Sequence, residues 1–76
     1  MPPPIPQTLV EAKAVGRVFN GSDQDLQKYG IPIETWECSS GHAGAICAFY
    51  SCVNGWRLVR YCDTGLGCTE VYEVPC

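Results

Sequence analysis

The stretch that decides the fold runs Cys47-Ala48-Phe49-Tyr50-Ser51-Cys52-Val53-Asn54-Gly55-Trp56-Arg57-Leu58-Val59-Arg60-Tyr61-Cys62. Two runs rich in aromatic and β-branched residues flank Asn54-Gly55, a dipeptide that tolerates the positive φ angles of a two-residue type I′ hairpin turn. A loop of that length fixes the register. It predicts that Val53 faces Trp56, Ser51 faces Leu58, Phe49 faces Arg60 and Cys47 faces Cys62, with Tyr50, Cys52, Arg57, Val59 and Tyr61 on the other side.

Toward the C-terminus, Thr69-Glu70-Val71-Tyr72-Glu73-Val74 alternates polar with apolar and predicts another short strand. Toward the N-terminus, Ile33-Glu34-Thr35-Trp36-Glu37 alternates in the same way, and Ser39-Ser40-Gly41-His42-Ala43-Gly44 then forms a loop. Ser22 or Asp23 can cap a short helix at 23–29, which Gly30 and Pro32 end. Over residues 8–19, Val10, Ala12, Ala14 and Val18 lean toward alternation and Gly16 argues against a helix interior, so a strand is expected. Residues 1–7 hold four of the six prolines and predict a flexible, extended, polyproline-like arm. The fold class expected is thus small, disulfide-rich and mainly β. A short antiparallel sheet surrounds the 47–62 hairpin, in one domain over 8–76 whose cysteine module occupies 36–76.

A 76-residue chain buries only about 60% of the surface its unfolded form exposes, so its core alone is marginal. Six cysteines, Cys38, Cys47, Cys52, Cys62, Cys68 and Cys76, all fall in the last 39 residues, and an even count in so short a chain reads as three disulfides. Structural zinc is disfavoured: no Cys-x-x-Cys occurs and His42 is the single histidine. Disulfides persist in oxidising compartments, which predicts a secreted, extracellular protein whose leader has been removed. No apolar run is long enough to span a bilayer. The net charge of −3, with five scattered Lys and Arg, argues against nucleic acid or membrane surfaces as partners. Asn20-Gly21-Ser22 is an N-glycosylation sequon in a turn-like setting, with an ordinary Asn-Gly turn as the alternative.

Catalysis by an activated nucleophile needs an adjacent base, and a lone loop histidine beside paired cysteines offers none, so no enzyme, catalytic residue, metal or cofactor is expected. Aromatic rings are the chemistry on offer. Six of the eight lie in the cysteine module: Trp36, Phe49, Tyr50, Trp56, Tyr61 and Tyr72. Phe49 and Tyr61 are assigned to the core. Trp56, beside the turn, leads the candidate ligand-binding set, which Tyr50, Tyr72, Asn54 and Asp63 complete.

The run Cys47-Ala48-Phe49-Tyr50-Ser51-Cys52-Val53-Asn54-Gly55, with Tyr61-Cys62-Asp63-Thr64-Gly65-Leu66 and the closing Cys68 to Cys76, resembles the peritrophin-A type chitin-binding domain over residues 38–76. The match is diverged: Gly67 alone separates Leu66 from Cys68, and Thr69-Glu70 stands where that family carries an aromatic. The resemblance implies chitin or a related glycan as ligand, and disulfides joining Cys38 to Cys52, Cys47 to Cys76 and Cys62 to Cys68. More broadly, the proline-rich start and acidic cysteine module resemble the small secreted cysteine-rich effectors of fungi. The alternatives are a protease inhibitor presenting the braced loop Ser39 to Ile46, and a toxin or effector that binds a host protein.

Overall fold

The computed structural model describes residues 4–76. In chain order it contains helix α1 (Leu9–Val15), strand β1 (Arg17–Val18), helix α2 (Asp23–Gln27), and strands β2 (Glu34–Thr35), β3 (Ile46–Phe49), β4 (Trp56–Tyr61) and β5 (Tyr72–Pro75). The strands form one antiparallel sheet in the order β1-β5-β4-β3-β2. The expected class, small, disulfide-rich and mainly β, is what the chain adopts.

The hairpin forms where the turn dipeptide places it. Asn54 and Gly55 both take positive φ, at 53° and 85°, and Val53 and Trp56 exchange backbone hydrogen bonds of 2.7 and 3.1 Å. Beyond the turn the expected register slips. Phe49 faces Val59, Ala48 faces Arg60 and Ile46 faces Tyr61, with an irregularity between Ile46 and Ala48. Each slip adds a residue to the first strand, so Cys47 does not face Cys62. Bulges of this kind bend a strand and re-aim its side chains. Here they send Cys47 to Cys68 and leave Cys62 to Cys38, while Cys52 joins Cys76, at Cα–Cα distances of 5.9, 5.5 and 6.0 Å. This pairing differs at all three bridges from the one the peritrophin-A resemblance implies.

The strand expected over 8–19 is corrected to a helix followed by two residues of strand. Thr8 caps α1 by accepting from the Glu11 amide at 3.2 Å, and the Glu11 carboxylate reaches back to the Gln7 amide, also at 3.2 Å. These two caps outweigh the weak alternation, whose Val10 is 78% exposed and decorates the outer face of the helix. The inner face lays Leu9 and Ala12 on the sheet against Val59, Tyr61, Tyr72 and Val74, with Ile5, Ile46 and Phe49 packed alongside. The short helix expected at 23–29 is present, two residues shorter at its C-terminal end. Ser22 and Asp25 form a reciprocal capping box at its start.

Where it is described, the proline-rich arm lies against the core. Pro6 is buried, Ile5 packs on the core, and the buried Tyr61 hydroxyl donates to the Pro6 carbonyl at 2.8 Å. Residues 1–3 lie outside the described residues.

Candidate functional site

A cavity of about 500 Å³ opens between the docked arm and the β2–β3 loop. Phe49 and Ile46 of β3 form its floor, with Ala45 and Cys62. Ile5 and Gln7 supply one wall, and Trp36, Glu37, Ser39 and His42 the other. Trp36 stands where β2 ends. Its amide donates to the Cys47 carbonyl at 2.7 Å, which fixes the backbone. Its indole stacks on Phe49 with centroids 5.9 Å apart and planes 28° from parallel, yet stays 46% exposed. A flat apolar ring, braced on one side and partly open to solvent, is a surface on which another apolar face can stack.

The loop behind it is braced at several points. Cys38 is tied to Cys62, the Gly44 amide donates to the Cys62 carbonyl at 2.7 Å, and the Leu9 amide donates to the Gly44 carbonyl at 2.9 Å. Within the loop, His42 N donates to the Ser39 carbonyl at 3.1 Å, and Ser39 Oγ and His42 Nδ1 share a hydrogen bond of 2.8 Å. The rim therefore presents an amide, a carboxylate, a hydroxyl and an imidazole around an aromatic floor. The Ser39–His42 pair closes an exposed local turn rather than a sheltered catalytic cleft.

The residues singled out in the sequence separate into different surroundings. Tyr72 is a core residue at 5% exposure, and burial followed by the Glu70 carboxylate raises its phenol pKa. Tyr50 is likewise buried, and its carbonyl accepts from Arg57 Nε at 2.9 Å. Asp63 is exposed, but its Oδ1 accepts from the Gly65 and Gly67 amides at 2.8 and 3.0 Å, which builds the turn before Cys68. Trp56 and Asn54 stay together at the hairpin tip, where with Phe19, Asp25, Lys28, Tyr29 and Val53 they line a smaller cavity of about 240 Å³. The Arg17 guanidinium sits 4.3 Å from the Trp56 ring centroid and covers one face of it. Phe19 and Tyr29 meet edge to face at 6.1 Å, and burial raises the Tyr29 pKa. In the sequence Trp36 is one aromatic among six, and the signal for it is its place in the alternating run that leads into the 39–44 loop.

The sulfurs of Cys38, Cys47 and Cys68 lie within 4.8 Å of one another because two disulfides pack side by side. Oxidised sulfurs carry no thiolate to offer a metal. Comparison with protein-family models, with curated proteins and with solved structures returns no match. No helix among the described residues is long and apolar enough to cross a membrane.

Proposed function

We propose that this chain is a secreted, non-catalytic binding protein that takes chitin or a related glycan in the groove headed by Trp36. The observation that carries the reading is the exposed indole, braced by Phe49 and ringed by Gln7, Glu37, Ser39 and His42 in a cavity of about 500 Å³. A sugar unit offers an apolar face to such a ring and hydroxyls to such a rim. Cavities of this size take small ligands, and groups already fixed in place lose little freedom on binding. The three disulfides support the extracellular part, and an effector role in virulence belongs to the same proposal.

Trp36 replaces Trp56 as the leading contact, because Trp36 stays 46% exposed beyond its contact with Phe49, whereas Trp56, with Arg17 over one face, is only half-buried. The inhibitor alternative is less well supported. The loop from Ser39 to Ile46 folds into two successive tight turns, His42 N to the Ser39 carbonyl and Ala45 N to the His42 carbonyl, and is not an extended strand ready for an enzyme cleft.

The test is retention on insoluble chitin and titration with soluble chito-oligosaccharides, followed by tryptophan fluorescence. Trp36→Ala should lose at least tenfold in affinity, about 1.4 kcal/mol, while Trp56→Ala keeps it. Equal retention of both variants would remove Trp36 from the site. Failure of the unmodified protein on chitin, with inhibition of a protease panel or capture by a host protein, would transfer the function to the alternatives.

A further inference from the structure

We propose that Asn20 is an N-glycosylation site that accepts its sugar only before the cap of α2 closes. The inference rests on the extracellular part of the functional reading, since the route that forms three disulfides also carries a chain past the glycosylating machinery.

Asn20-Gly21-Ser22 has the required acceptor pattern with no proline at its centre. Asn20 is exposed, in irregular backbone between β1 and α2. The amide nitrogen would attack the anomeric carbon of an oligosaccharide carried on a lipid diphosphate. The nitrogen–carbon bond forms as the carbon–oxygen bond to the diphosphate breaks, the amide gives up one proton, and the lipid diphosphate leaves.

The sequon also requires a serine or threonine hydroxyl two residues on, and the fold takes that hydroxyl away. Ser22 Oγ accepts from the Asp25 amide at 3.3 Å and donates to Asp25 Oδ2 at 3.1 Å, while the Ser22 amide donates to the same Oδ2 at 3.0 Å. A Cβ at Gly21 would meet the Phe19 ring and Asp25 Cβ, so the middle of the sequon lies close against both in the folded chain. An unfolded chain keeps the hydroxyl free; a folded one does not. The attached glycan then grows from the residue next to Phe19, beside the hairpin-tip aromatics. It leaves the Trp36 groove open, because the two cavities share no lining residue.

The experiment exports the chain through the secretory route of a yeast and reads its intact mass with and without an amidase that removes N-linked glycans. The expected result is an amidase-sensitive mass increase that Asn20→Gln abolishes, with the disulfides complete in both. A second arm offers purified aglycosyl protein, native or reduced, to the oligosaccharide transferase with its lipid-linked donor. The reduced chain should be modified and the native chain spared. Exported, fully oxidised protein without sugar overturns the site and leaves the extracellular reading standing. Exported protein with free thiols overturns that reading and this proposal together. Equal modification of native and reduced chains overturns the claim that the cap closes the window.

Discussion

At Gly16 the end of α1 comes down on β5 so closely that a Cβ would meet the Glu73 carbonyl oxygen and Val74 Cγ1 at once. One of these is backbone and has no rotamer to escape into. Gly16→Ala should therefore lower stability by about 1–3 kcal/mol, the usual cost of overpacking, even though alanine is the better helix former. A denaturant midpoint unchanged from wild type would mean that the helix end lifts from the strand without cost. Tyr61 makes a second residue-scale prediction. Burial, and then the Glu11 carboxylate, push its phenol pKa up to about 12, against about 10 in the unfolded chain. The folded state holds its proton more tightly, so the contribution is complete below pH 10 and is lost as pH rises through the folded value, roughly 2 kcal/mol across that window. Tyr61→Phe should flatten the fall in stability between pH 10 and 12, down to the remainder due to Tyr29 and Tyr72. A variant that falls as steeply as wild type would place the titrating group elsewhere. The Asn54-Gly55 turn was legible because its chemistry is local. Which tryptophan stays open was not, because Trp56 is covered by Arg17, a residue 39 positions earlier in the chain.

Among the elements, α1 forms where alternation over 8–19 predicts a strand. Thr8-Leu9-Val10-Glu11 carries the polar-x-x-acid signature of a helix start, and Gly16 is its stop, so the signal lay in the sequence beneath an accidental alternation of small apolar residues. Thr8→Ala should cost about 1 kcal/mol and loosen the Leu9 contact with Gly44, which amide exchange at Leu9 would report as faster opening. Unchanged exchange there would show that tertiary packing alone holds the helix. The register of β3 was beyond reach from sequence. Its slips go with the cysteine pairing, and Cys47 meets Cys68 across the turn that Asp63 builds, contacts that span the chain and leave no local signal.

For the whole molecule, the disulfides divide the chain unequally. All six bridged cysteines lie in residues 38–76, and the bridges close loops with sequence separations of 24, 21 and 24. In the chain-entropy model each such loop is worth about 3 kcal/mol, comparable to the net stability of so small a core. The native mass should lie about six units below that of the reduced chain, as three bridges require. Reduction should then abolish near-ultraviolet circular dichroism; a retained signal would mean that packing suffices alone. α1, β1 and α2 carry no cysteine and are held by contacts only. Hydrogen exchange should find α2, which buries no residue, opening before β4. Protection of α2 equal to that of β4 would make the chain one cooperative unit.

β5 lies between β1 and β4 although it is the last strand in chain order. Arg17 must therefore wait for Glu73, 56 residues further on, before it has a neighbour to pair with. A ribosome builds the chain from its N-terminus, so everything up to β4 emerges with the first strand still unpartnered. Translation speed across the codons from Arg17 to Glu73 thus sets how long the N-terminal third stays accessible to enzymes and chaperones, and synonymous changes that slow elongation there should lengthen that exposure without altering the finished fold.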